Sequence, residues 1–237
     1  MSNPNANGTM PVEAVVFDVG RVIVEWDMRI LFAKLIDDPD ELDWFLANVV
    51  TEEWHFQHDA GRPLDEMVPE RQAAFPEHAE LIRAYRERFL ETIPGRVSGT
   101  AELIARLADA GVPLFAITNF GAEFWERFAP TEPVLGHFRD IVVSGDEKLA
   151  KPDPAIFGLA AERFGYPPQA MLFIDDNAAN IEAARALGWQ THHFTQGAAA
   201  LEADLARRGL LGKKPPTRRR GGGLRLGEGA VSTAPSE

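Results

Sequence analysis

The feature that most constrains this chain is a repeated pairing: a short apolar run that stops abruptly at a polar, mostly acidic, residue. It occurs at Val12–Phe17 before Asp18, at Pro113–Ile117 before Thr118 and Asn119, at Ile141–Val143 before Ser144-Gly145-Asp146, and at Met171–Ile174 before Asp175-Asp176-Asn177. Apolar runs this short, bounded by turn-forming residues, read as strands buried on both faces of a parallel sheet. His192–Phe194 is expected to add a fifth. Helical patterns separate these runs. Leu103, Ile104 and Leu107 share one face of a helix expected to be capped by Ser98 and ended by Gly111. Asp153–Phe164 and Ala178–Leu187 follow the same logic, the second stopped by Gly188. Strands alternating with helices predict an α/β fold, a doubly wound parallel sheet.

The alternation fails once. From Met28 to Thr92 only helical signals appear: a capping box at Asp38-Pro39-Asp40-Glu41 leading into Leu42, Phe45, Leu46 and Val49, then Pro76 opening a helix that carries Leu81, Ile82, Tyr85, Phe89 and Leu90. An insertion of about 65 residues is too long for a crossover. The expected organisation is therefore an α/β core made of residues 11–27 and 93–212, with an all-helical cap subdomain, residues 28–92, over one end of the sheet. Residues 1–10 and 213–237 read as disordered tails. The second tail is basic, with six Lys and Arg against two Glu.

Composition removes several classes of function. The chain has no cysteine, which excludes disulfide scaffolds, thiolate metal sites and cysteine nucleophiles. Its 24 basic and 36 acidic side chains leave a net charge of −12, so no nucleic-acid partner is expected. No apolar run approaches the roughly 18 residues of a membrane span, and Met1–Met10 lacks the basic and apolar regions of a secretory signal. A soluble, cytoplasmic protein is expected.

Ligands of open α/β sheets bind beyond the carboxyl ends of the strands. Those ends carry Asp18, Thr118-Asn119 and Asp175-Asp176, and Lys151 follows the third strand in a loop held by Pro152. Each has a plain structural reading: Asp175 or Asp176 as a helix cap, Thr118-Asn119 as a turn, Lys151 as a surface residue. Their joint order at consecutive strand ends is what points to a site. Three carboxylates facing one crevice repel one another unless a cation sits among them. Oxygen ligands without His or Cys favour Mg²⁺. Magnesium beside a lysine and a threonine hydroxyl suits a phosphate group.

In order and position, Phe17-Asp18-Val19-Gly20, Thr118-Asn119, Lys151-Pro152 and Ile174-Asp175-Asp176-Asn177 resemble the four signature motifs of the haloacid dehalogenase-like hydrolase superfamily. The helical insertion is similar to that superfamily's first cap class. The resemblance covers about residues 12–210. It implies a Rossmann-like core and a phosphatase acting on a small phosphorylated metabolite, such as a sugar phosphate. It further implies Asp18 as nucleophile and Mg²⁺ ligand through an aspartyl-phosphate, with the Gly20 carbonyl, Asp175 and Asp176 also serving the metal. Thr118 and the Asn119 amide would hold the phosphoryl oxygens, and Lys151 would offset charge between Asp18 and the phosphate. One position departs from the pattern: Gly20 stands where most phosphatases of the superfamily carry a second Asp, the general acid and base. Glu25 or Asp27 is a possible substitute. The departure also admits a degenerate binding or regulatory protein, and the superfamily includes metal-free 2-haloacid dehalogenases, which usually carry Tyr at the Gly20 position and Ser-Asn in the fourth motif. Within the cap, His55, His58 and Arg62 are expected to face the substrate; a metal role for the two histidines lacks a third ligand at supporting spacing.

Overall fold

The computed structural model describes residues 10–212. The expectations for residues 1–9 and 213–237 lie outside the described residues. Strand β1 (Ala14–Phe17) leads into five helices, α1 (Met28–Phe32), α2 (Pro39–Asn48), α3 (Glu52–Asp59), α4 (Leu64–Ala74) and α5 (Ala79–Glu87). The core resumes with α6 (Thr100–Asp109), β2 (Leu114–Thr118), α7 (Ala122–Phe128), β3 (Asp140–Val143), α8 (Ser144–Glu147) and α9 (Pro154–Phe164). It closes with β4 (Met171–Asp175), α10 (Ala178–Ala186), β5 (Gln190–His193) and α11 (Gly197–Arg207).

All strand pairs are parallel and the order is β3-β2-β1-β4-β5. Period-two alternation explains why the central strands are apolar throughout. Val15, Phe17, Leu114, Ala116, Leu172 and Ile174 pack on one face with Leu103, Leu107, Leu201 and Leu205. Ala14, Val16, Phe115, Ile117, Met171 and Phe173 pack on the other with Ile156, Phe157, Ile181 and Ala184. Helices therefore cover both faces, which is the doubly wound arrangement. Strand β5 is an edge strand of intermediate burial and begins at Gln190 rather than His192. Its polar side chains hid its start from the hydrophobic pattern.

Local signals account for most helix ends. The Asp38 side chain accepts from the N–H groups of Asp40 and Glu41, with Pro39 in the first turn of α2. Asp153 caps α9 through Ala155 N–H. Two expectations are corrected. Helix α6 is preceded not by a Ser98 cap but by Gly99 at φ 84°, a left-handed conformation that glycine adopts without a Cβ penalty. Helix α10 is capped by Asn177, whose side chain accepts from Ala179 N–H, and not by either aspartate before it.

The helical stretch after β1 is seated on the core by close contacts. Ser144 Oγ, at the start of α8, donates to the Asp59 carbonyl at 2.5 Å. Phe89 stacks on Phe124 of α7 with centroids 3.7 Å apart. Gly121 lies under the His58 ring, where a Cβ would stand 2.0 Å from Cδ2. Gly145 is tighter still in kind, because its neighbours are backbone atoms: a Cβ there would meet Ala122 N at 2.4 Å and Phe120 O at 2.8 Å. Backbone cannot swing aside as a side chain can. Gly145→Ala is expected to lower the unfolding free energy by about 1–3 kcal/mol, measured as a lower urea midpoint at unchanged slope. An unchanged midpoint would show that the α7 and α8 turns are not packed this closely.

Candidate active site

Asp18 leaves the end of β1, and register sets what stands beside it. Phe17 pairs with Ile174 of β4 and Ala116 of β2, so the next residues, Asp18 and Asp175, emerge at one level, with Thr118 one residue beyond that level on β2. The β1–β4 boundary is also where the strand order reverses, the position at which open α/β sheets leave a crevice. One ligand oxygen from each of Asp18, Asp175 and Asp176 can be chosen so that all lie within 4.8 Å of one another.

Lys151 joins this group from the loop between α8 and α9. Its Nζ lies 2.8 Å from Asp18 Oδ1 and 2.8 Å from Asp175 Oδ2, and the side chain is 1% exposed. The Asn119 side chain holds that loop from both directions. Its Nδ2 donates to the Lys151 carbonyl at 2.8 Å, and its Oδ1 accepts from Lys151 N–H at 2.9 Å. Asp175 is fully enclosed: besides Lys151 it accepts from Asn177 N–H at 2.8 Å and from Asn180 Nδ2 at 3.0 and 3.1 Å. Asp176 lines the adjoining cavity and Asp175 does not.

The charge balance is three carboxylates against one ammonium. Burial pushes the Asp18 carboxyl up to about 8; Lys151 opposes the rise, while Asp175 and Asp176 add to it. Asp176 is raised by burial and by Asp175. Burial works against the Lys151 charge, but Asp175 and Asp18 outweigh it and hold the ammonium above its ordinary range. The site is therefore short of positive charge. A divalent cation supplies what is missing, and an all-oxygen donor set matches magnesium chemistry.

A cavity of about 180 Å³ opens over these groups, lined by Asp18, Gly20, Asn119, Lys151 and Asp176 on the sheet side and by Trp26, Glu52, His55, Phe56, Asp59 and Phe89 opposite. Thr118 does not line it; its Oγ1 is wholly buried and without a hydrogen-bond partner. Of the three residues expected to face a substrate from the helical insertion, only His55 reaches the cavity. The His58 ring packs on Gly121 and Phe124, with Nδ1 against the Arg62 carbonyl at 2.8 Å, and burial lowers its pKa. Arg62 turns away to Gln57 and Glu70. Glu25 and Asp27, the expected stand-ins for the missing acid, also lie off the cavity; both are exposed, and Asp27 caps α1 through Arg29 N–H.

Several lining residues escaped the sequence reading. Asn180 follows Asn177 by three on α10, and Asp59 follows His55 by four on α3; each spacing places the pair on one helix face. Trp26, Arg21 and Glu52 gave no comparable signal. Arg21 bonds Glu52 at 2.8 Å and lies 4.9 Å over the Trp26 ring.

A parallel sheet with its acidic cluster at the switch point defines a hydrolase core of the haloacid dehalogenase type. The family model for haloacid dehalogenase-like hydrolases matches residues 12–188, and the chain belongs to that family. It is 28% identical to phosphoglycolate phosphatase of Escherichia coli strain K12 over 141 residues, 57% of this chain and 53% of the relative. It is 31% identical to the (S)-2-haloacid dehalogenase of Pseudomonas putida over 90 residues, 38% of this chain and 40% of the relative. The chain thus spans about half the length of the phosphatases it matches. Among solved structures, a family enzyme of Bacteroides thetaiotaomicron in complex with magnesium and inorganic phosphate superposes with a TM-score of 0.60 at 18% identity, covering 76% of this chain and 93% of the other. Among the described residues no helix is long and apolar enough to cross a membrane.

Proposed function

We propose that this protein is a magnesium-dependent phosphatase of a small phosphorylated metabolite, working through an aspartyl-phosphate on Asp18. The observation that carries the reading is the Asp18, Asp175 and Asp176 cluster, joined by Lys151, beneath a cavity that Asp18, Asp176 and Lys151 line. Asp18, Asp176 and the Gly20 carbonyl would hold the cation directly. Asp175, saturated by Lys151, Asn180 and Asn177, would support the site from behind. When bound, Mg²⁺ supplies the positive charge that lets a carboxylate approach a phosphate dianion. Asp18 attacks phosphorus, the bond to the ester oxygen breaks, and water then cleaves the acyl phosphate. Lys151 stays protonated and neutralises charge on the transferring group. Residues 28–92 act as the cap, whose aromatic inner wall excludes water and sets the substrate.

The names of the curated phosphatases and the magnesium and phosphate in the Bacteroides structure agree with this assignment. The relationship to a haloacid dehalogenase keeps that chemistry as the alternative, but a metal-free site would leave three clustered carboxylates against the one Lys151 ammonium. A phosphate-release screen over a panel of phosphomonoesters, with Mg²⁺ and with a chelator, separates the two. Release that requires Mg²⁺ is expected for at least one sugar or small-acid phosphate. Halide release from 2-haloacids without metal, and no phosphate release, would overturn the assignment.

A further inference from the structure

We propose that Asp59, at the C-terminal end of α3, supplies the general acid and base that Gly20 cannot. The inference rests on the phosphatase reading above and names the group that moves its protons. Four carboxylates line the cavity: Asp18, Glu52, Asp59 and Asp176. Asp18 is engaged by Lys151, and Asp176 belongs to the acidic cluster. Glu52 is exposed and paired with Arg21. Asp59 differs from all three. It is 6% exposed, and its Oδ1 is buried with no hydrogen-bond partner.

The other oxygen of Asp59 faces His55. Oδ2 lies 3.2 Å from His55 Nε2, and His55 Nδ1 lies 2.7 Å from the Tyr85 hydroxyl. In either tautomer the ring keeps Nδ1 against the Tyr85 hydroxyl and Nε2 against Asp59. Burial, with Asp59 and Glu123 nearby, keeps the Tyr85 phenol protonated and able to donate. The imidazole cannot swing. It is stacked between Trp26, with centroids 4.9 Å apart, and Phe89, at 5.5 Å. Backbone restraint is added by Ser144, whose Oγ donates to the Asp59 carbonyl. His55 thus stands beside Oδ2, and Oδ1 is the oxygen left without a partner.

The chemistry balances. As the bond from Asp18 to phosphorus forms and the bond from phosphorus to the ester oxygen breaks, the Asp59 Oδ1 proton passes to the departing alkoxide, releasing a neutral alcohol. Asp59, now a carboxylate, takes a proton from water as that water attacks phosphorus. The acyl-phosphate bond breaks, Asp18 regains its carboxylate, and inorganic phosphate leaves with Asp59 again protonated.

Leaving-group dependence tests this. The probes are p-nitrophenyl phosphate, whose phenolate leaves without a proton, and the fastest alkyl phosphomonoester of the panel, with Mg²⁺ present throughout. Asp59→Asn is expected to lower kcat/KM for the alkyl ester by about 10²–10⁴-fold. The p-nitrophenolate burst should slow by less than about tenfold, because only the first step loses its need for an acid. Tyr85→Phe, which releases His55 without touching Asp59, is expected to give the same pattern at smaller amplitude and guards against misfolding of the first variant. An equal loss on both esters, or a loss carried by KM alone, overturns the inference and makes Asp59 a binding group. Wild-type turnover of the aryl ester with none of any alkyl ester overturns it too, since no acid is then at work, while the hydrolase reading stands. Phosphate release that Asp18→Asn leaves intact removes instead the reading that Asp18 is the nucleophile.

Discussion

Replacing Asp18 by Asn is expected to reduce Mg²⁺-dependent phosphate release by at least about 10⁴-fold while leaving the fold almost unchanged. The loss follows from chemistry: an amide is a poor nucleophile and a poor ligand for a hard cation. The unchanged fold follows from the site's electrostatics. Burial holds the Asp18 carboxyl well above the ordinary carboxylate range in the metal-free protein, so the substitution by an amide of the same shape removes little favourable buried charge. The Oδ1 atom that accepts from Val19 N–H is retained, and Lys151 keeps Asp175. The change in unfolding free energy is expected to stay within about 1 kcal/mol. Phosphate release and urea denaturation, run side by side, decide the matter. A variant that keeps more than about a hundredth of the rate is incompatible with Asp18 as nucleophile. A phosphoryl adduct trapped on the Asp18 peptide of the wild type, and missing from the variant, is the matching positive result.

Sequence and structure agree wherever one local rule was decisive. The strands at β1, β2 and β4 were legible because a strand covered on both faces must be apolar throughout, and because its carboxyl end is where the chain turns polar. Asp18, Asp175 and Asp176 come together because parallel register brings neighbouring strand ends level, and Lys151 reaches them from the loop that Asn119 holds. The opposite wall of the cavity obeyed no such rule. His58 and Arg62 sit on the same short segment as His55, yet their directions depend on how α3 is seated. That seating is set by Ser144 on the Asp59 carbonyl and by the space above Gly121, contacts separated by 85 residues in the first case. Polarity marked the segment as functional without saying which side chain turns inward. The relevant spacing was the four residues from His55 to Asp59, not the three from His55 to His58.

Lys151→Met is expected to cost both stability and activity, because one ammonium serves two carboxylates. Removing one member of a buried ion pair typically costs about 3–5 kcal/mol, since the partner's charge is left behind in a poorly solvated place. Here the loss belongs at the lower end, about 3 kcal/mol. Asp18 can keep its proton, and Asp175 retains Asn180 and the Asn177 N–H. Added Mg²⁺ should recover part of the loss, because a bound cation neutralises the same oxygens and stabilises the folded state by mass action. Phosphate release should fall by about 10²–10³-fold even in saturating Mg²⁺, as the cation cannot also occupy the position from which Nζ meets the transferring group. Pairing the substitution with Asp175→Asn separates the two roles. If the buried charge causes the instability, the double variant should be more stable than the sum of the single losses, with a coupling of about 1–3 kcal/mol. Its activity should not return, because Lys151 would still be absent from the phosphate. Strict additivity in urea denaturation would mean that Lys151 and Asp175 do not share the bond seen at 2.8 Å, and the charge-balance account of the site would fail with it.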